Sequence, residues 1–272
     1  MLLGGRLLLG QYKPGDGLLY RLDPRSKILI VIMIMLAVLM QTSIVFYAIL
    51  IASLFSWLFF SGPGWSQISG NLKPIFWLIL FTALIHLVFS GKSDPQKLIS
   101  IYSFSISKTA VLMAITFSMR ILIFVLSTFL ISLTTSPMAV SEGIISLIKP
   151  LRLVKIPVYD LGMILFIALR FIPVLSSEME MIRKAQYIRG VSFSGKWMER
   201  VKNSVSLVVP VFFSALRRAD DLSIAIETRG YKSGQPRSSL RPLKFSVSDI
   251  LVLSLIVIVL SVYIIWSRWW QS

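Results

Sequence analysis

Residues 28–60 read ILIVIMIMLAVLM (28–40), QTS (41–43) and IVFYAILIASLFSWLFF (44–60), two long apolar runs around a three-residue polar break. As one helix the stretch would be about 50 Å long, well beyond the roughly 30 Å hydrocarbon core of a bilayer. Two closely connected helices fit instead. Water-soluble proteins carry apolar runs too, but not repeated runs near the length of a bilayer crossing.

The same pattern recurs outward from this point. Leu72–Phe89 and Ala110–Leu133 form a third and fourth crossing, the fourth interrupted by Arg120. Val247–Trp266 forms a last one, closed by Trp266, Arg268, Trp269 and Trp270, which suit the membrane interface. Upstream, Asp23 is placed to cap the first helix and Pro24 suits its first turn. Arg25 and Lys27 then mark the cytoplasmic edge of the first crossing. Met1–Gly10 lacks a charged front region and a small-residue cleavage site, so no signal peptide is expected there. The fold class is an all-α integral membrane protein with a bundle of about five transmembrane helices. Its 56% hydrophobic content over 272 residues and mean hydropathy of +0.79 agree.

Cysteine is absent, which excludes disulfides and thiolate metal sites. The net charge of +16 raises nucleic acid as a partner. No aromatic-basic platform for single strands is present, and cytoplasmic Lys and Arg facing anionic lipid account for the charge. No nucleic-acid partner is expected.

Between the fourth and last crossings the composition changes. Residues 136–245 hold 17 Lys or Arg against 8 Asp or Glu. Four crossings from an inside N-terminus return the chain inside at Ser136, which puts this block in the cytoplasm. Val158–Leu175 is nearly long enough to span, but Asp160, Arg170 and Pro173 make it equally readable as an apolar helix along the membrane base. The domains are therefore 1–135, N-terminal transmembrane helices; 136–246, a cytoplasmic region; and 247–272, a C-terminal transmembrane helix.

Two helix endings stand out in the polar block: Ile188-Arg189-Gly190 and Thr228-Arg229-Gly230, forty residues apart. The first closes a helix from Ser177, with Met179, Ile182 and Gln186 on one side; the second closes a helix from Leu216, with Leu216, Ala219, Ser223 and Ile226 in line. Gly190 and Gly230 suit the left-handed position after a last turn, and the arginine before each meets the negative helix end. Either alone reads as a well-capped helix. As a pair, each arginine also presents a five-donor fork able to enter a carboxylate-lined groove on a partner.

In order along the chain stand Leu22-Asp23-Pro24-Arg25-Ser26-Lys27, Thr134-Thr135-Ser136-Pro137, Ala168-Leu169-Arg170-Phe171-Ile172-Pro173 with Glu178, Ala185-Gln186-Tyr187-Ile188-Arg189-Gly190, and Ala225-Ile226-Glu227-Thr228-Arg229-Gly230-Tyr231. With these the chain resembles the transmembrane T component of energy-coupling factor transporters. The family repeats an Ala-Arg-Gly triplet; Ile188 and Thr228 stand here where alanine is usual, with arginine and glycine kept. The resemblance implies a scaffold joining one membrane-embedded substrate-binding subunit to two cytoplasmic ATP-binding-cassette ATPases. Arg189-Gly190 and Arg229-Gly230 would tip its coupling helices and dock on the ATPases. Glu178, Ala185, Gln186, Ala225 and Tyr231 would support that interface. Asp23, Pro24, Arg25, Arg120, Arg170 and Pro173 would be structural. The imported solute would be a vitamin or a metal ion, across a prokaryotic cell membrane.

No Gly-rich phosphate loop ending in Gly-Lys-Ser or Gly-Lys-Thr occurs, so ATP and magnesium are expected on the partner subunits and no cofactor on this chain. His86 is the lone histidine, too few ligands for a metal site and a poor basis for an intramembrane enzyme. Arg120 is expected to pair inward, with Glu142 or Asp160 as the candidate carboxylates. Asp220 and Asp221 are expected to pair locally with Arg217 and Arg218. The competing class is a stand-alone secondary transporter, suggested by Arg120, Asp160 and Arg170 in or near apolar segments. The inverted repeat usual in such proteins is not found.

Overall fold

The computed structural model describes residues 17–60, 65–89, 97–101, 104–235, 243 and 245–271, so Met1–Gly10 lies outside the described residues. In chain order the elements are α1 (Leu18–Arg21), α2 (Pro24–Met40), α3 (Ile44–Phe60), α4 (Trp65–Phe89), β1 (Lys97–Ile101), β2 (Phe104–Ser107), α5 (Lys108–Thr134) and α6 (Pro137–Ile148). A 3₁₀ turn (Lys149–Val154) leads to α7 (Val158–Ile188), α8 (Trp197–Thr228) and α9 (Val247–Gln271). The two strands form a short antiparallel hairpin between α4 and α5, and the other elements among the described residues are helical. Two units emerge: Gly10–Gly143 with Leu243–Ser272, and a second built on Ile144–Pro242.

In the first unit the expected break at residues 41–43 separates α2 from α3. The contact surface is a stripe at helical spacing: Ile30, Ile34 and Val38 of α2, Phe46, Leu50, Leu54 and Leu58 of α3, Ile123, Leu126, Leu130 and Leu133 of α5. The faces turned outward are apolar as well. Trp77 is 67% exposed, Phe81 63% and Met40 79%. A water-soluble bundle reserves its outer face for charge, so these surfaces belong in hydrocarbon. There, close packing rather than water exclusion holds helices together.

Polar contacts sit where α2, α5 and α9 end or begin. The Asp23 side chain accepts from the Arg25 N–H at 2.9 Å, with Pro24 in the first turn, as the sequence predicts. The Asp23 N–H in turn donates to Asp249 Oδ1 at 2.8 Å, and the Ser246 N–H donates to Asp249 Oδ2 at 2.8 Å. Asp249 is fully buried. Lys27 Nζ donates to the Thr134 carbonyl and to Thr135 Oγ1, both at 3.0 Å. Arg25 lies over the Phe245 ring, 5.3 Å from its centroid. A Cβ on Gly143 would come within 3.0 Å of Ile28 Cδ1 and 3.2 Å of Pro24 Cβ, so α6 packs closely on the start of α2.

Arg120 meets neither carboxylate proposed for it. Its Nη2 donates to the Tyr47 hydroxyl at 3.0 Å, and the guanidinium lies 5.3 Å from the Phe117 ring centroid. The Tyr47 hydroxyl reaches the carbonyl oxygens of Val38 and Gln41 at the end of α2. The cation therefore faces the negative end of that helix through a hydroxyl and an aromatic ring. His86 stacks on Phe117 with centroids 4.3 Å apart. Among the described residues no group of three His, Cys, Asp or Glu is placed to hold a metal.

Candidate functional site: a helix pair with two arginine tips

The helices that carry the two arginines are longer than their endings suggest. The apolar run Val158–Leu175 and the charged helix from Ser177 are one continuous α7 of 31 residues, with Pro173 inside it. Likewise the helix expected from Leu216 is the second half of α8, 32 residues with Pro210 inside. Proline removes one backbone donor and commonly ends a helix. Here each helix continues through it.

The two helices run antiparallel. Their less exposed positions form facing stripes: Leu175, Glu178, Ile182 and Gln186 on α7, and Leu207, Val211, Ser214, Leu222 and Ile226 on α8. Ile182, Gln186 and Ile226 are as expected, whereas Met179, Leu216, Ala219 and Ser223 lie outside the stripes at exposed positions. On α7 the facing position beside Met179 is taken by a polar residue, Glu178. Its Oε1 accepts from the Ser214 hydroxyl, and its Oε2 lies 3.2 Å from Arg218 Nη2. Arg218 thus pairs across the helices, not with Asp221 in its own. Arg170 is exposed on α7.

Both endings adopt the same geometry. Arg189 has φ −77° and ψ 7°, Arg229 φ −83° and ψ 9°; Gly190 and Gly230 follow at φ +86° and +76°. The Gly190 N–H donates to the Tyr187 carbonyl and the Val191 N–H to the Gln186 carbonyl, both at 3.0 Å. The Gly230 N–H donates to Glu227 at 2.9 Å and the Tyr231 N–H to Ile226 at 3.0 Å. This i to i−5 closure is a Schellman end, which requires a left-handed residue after the last turn. A Cβ at either glycine meets nothing within 4 Å, so only φ demands glycine. Gly190→Ala and Gly230→Ala are each expected to cost about 1–2 kcal/mol of local stability, with Asn costing less. Amide exchange of residues 188–192 and 228–232 would measure it.

Ala185 and Ala225 stand one turn before each arginine and keep that side of the helix low. Ile188 is 84% exposed and Thr228 is exposed. Among the described residues neither the Arg189 nor the Arg229 guanidinium has a partner within the chain.

The antiparallel arrangement puts the tips at opposite ends, separated by about 45 Å at helical rise. Each following loop is held by the first turns of the other helix. Arg200 Nε donates to the Gly195 carbonyl at 2.8 Å, and Asn203 Nδ2 to the Ser192 carbonyl at 2.5 Å. At the other end Asp160 accepts from the Tyr231 hydroxyl (2.8 Å), the Ser233 hydroxyl (2.7 Å) and the Gly234 N–H (3.1 Å). Sequence reasoning missed the parts of Asp160, Arg200 and Asn203. These residues meet their loops only through the helix pairing, and a single sequence carries no signal of that.

An apolar helical unit, and a helix pair with an exposed cation at each end that has no partner among the described residues, define a multi-helix membrane component. Residues 16–240 match the family described as cobalt transport protein, CbiQ. The energy-coupling factor transporter transmembrane protein EcfT of Lactococcus lactis subsp. cremoris is 33% identical over 263 residues, which cover 96% of this chain and 98% of that protein. EcfT of Listeria innocua is 37% identical over 267 residues, covering 97% and 98%. EcfT of Bacillus subtilis is 36% identical over 254 residues, covering 93% and 95%. The chain belongs to this family and is an EcfT-like transmembrane component of an energy-coupling factor transporter.

Proposed function

We propose that the chain is the non-catalytic scaffold that passes ATP-driven motion of two cytoplasmic ATPase subunits to one membrane-embedded substrate-binding subunit. The carrying observation is the pair of tips: two exposed guanidiniums, unpartnered among the described residues, in the same helix-end geometry at opposite ends of one helix pair. Two like knobs far apart suit two like partners, one at each end. A guanidinium fork fits a carboxylate-lined groove bidentately, which fixes orientation as well as position.

The charge on α8 supports a cytoplasmic position for this pair. By length and composition α7 passes for a membrane span. Its apolar half, however, pairs with the part of α8 that carries Arg217, Arg218, Asp220, Asp221 and Glu227. Dragging those charges through hydrocarbon would cost several kcal/mol each at the bilayer centre. Lying along the membrane base, α7 keeps its apolar side toward lipid or a membrane partner while α8 stays wet. ATP and magnesium would sit on the ATPases, whose closure shifts the tips as a rigid-body transition. The solute would be a micronutrient, a vitamin or a metal ion, selected by the substrate-binding partner.

Purification of the chain from native membranes in mild detergent, followed by mass spectrometry of the intact complex, tests this. The expected result is two ATPase subunits and one substrate-binding membrane subunit per chain. A chain purified alone that drives solute uptake on a substrate gradient in vesicles would instead make it a secondary transporter.

A further inference from the structure

We infer that Asp160 is a positioning residue for the Arg229 tip, so that the two arginine ends are held by different chemistry and can be loosened separately. The inference rests on the docking role proposed above. Asp160 lies in the first turn of α7, where the positive helix end favours a carboxylate. Its two oxygens accept from three donors on the five residues after Arg229: the Tyr231 and Ser233 hydroxyls and the Gly234 N–H. That loop contains two left-handed glycines, Gly230 at φ +76° and Gly234 at φ +74°. Glycine leaves the unfastened backbone many conformations, so the fastening decides which one is kept. Occupied by these donors, the carboxylate fixes the loop while Arg229 keeps its own fork unpartnered among the described residues.

The Arg189 end is built the opposite way. There the partner helix supplies donors, Arg200 Nε and Asn203 Nδ2, and the loop supplies carbonyl acceptors at Gly195 and Ser192. No residue is shared between the two fastenings. Removing the carboxylate should therefore free one tip and leave the other. A general weakening of the α7–α8 pair would loosen both.

The chain has no cysteine, so Ile188→Cys and Thr228→Cys each place one thiol just before the corresponding arginine. These variants, with and without Asp160→Ala, are assembled with the ATPase subunits in lipid nanodiscs. Peptide-resolved amide exchange is expected to rise about tenfold or more over 230–235 and to stay within about twofold over 190–195. Cross-linking to an ATPase subunit from position 228 should fall about fivefold, while that from position 188 holds, because a disordered tip must be ordered on docking. Tyr231→Phe, which deletes one of the three donors, should give a smaller change in the same direction and guards against a general folding defect in the alanine variant. Equal loosening of both loops, or unchanged exchange over 230–235, overturns the assignment while leaving the docking role standing. Absence of any cross-link from either thiol with Asp160 intact removes the docking role, and leaves Asp160 as a loop fastening with nothing to position.

Discussion

Replacing Arg189 and Arg229 together by alanine is expected to abolish ATP-driven uptake and release the ATPase subunits from the chain. Truncating one side of a desolvated, hydrogen-bonded charge pair costs about 2–5 kcal/mol in binding. Even the lower figure is a loss of about thirtyfold per end, since each 1.4 kcal/mol is tenfold. With the two ends about 45 Å apart the losses should add, giving about a thousandfold for both. Single variants should leave partial association, held by the remaining end. Arg→Lys at either position keeps the charge but not the planar fork, so it should fall between alanine and arginine. Uptake of the solute in energised vesicles and pull-down of the ATPases measure the two effects. Full uptake by the double alanine variant would remove these arginines from the mechanism.

Asp249→Ala should give the largest loss of stability in the membrane unit. Asp249 accepts from two backbone donors, the Asp23 and Ser246 N–H groups, at a fully buried position. Alanine orphans the buried Asp23 N–H, at about 1–3 kcal/mol, and leaves the part-buried Ser246 N–H to water, so a loss of about 1–3 kcal/mol is expected. It also takes a negative charge from the neighbourhood of buried Lys27, where Asp249 and Asp23 are the charges that favour the ammonium. The Asp249→Asn variant keeps a single acceptor oxygen and should recover part of the loss. Thermal unfolding in one detergent, compared across the three chains, reads this. Coincident curves for the alanine variant and the parent would show that the contact contributes nothing.

Legibility in the sequence followed the range of the interactions. The break at Gln41-Thr42-Ser43, the Asp23-Pro24 helix start and the left-handed Gly190 and Gly230 are decided within a few residues, and all three were readable. The partner of Arg120 was not, because Tyr47 lies 73 residues away and a search for a counter-ion looks for carboxylates. A hydroxyl at a helix end and an aromatic face met the cation instead. The lengths of α7 and α8 were hidden by Pro173 and Pro210, and by the switch from apolar to charged composition at Ser177. Glu178 further disguised the contact face, since a periodicity of apolar residues passes over a carboxylate that pairs across the helices. Asp160 read as a complication for a crossing helix, and only the antiparallel pairing brings it to the loop at 231–234.

Glu178 has one more consequence. On α7 its contacts with Ser214 and Arg218 lie eleven residues before Arg189; on α8 the two partners stand fifteen and eleven residues before Arg229. At helical rise the α7 arm measures about 16 Å and the α8 arm about 16–22 Å. Should the pair scissor about this polar fulcrum, equal angular travel would sweep the two tips through arcs of similar length. Matched strokes at the two tips would then turn the pair about a nearly balanced pivot.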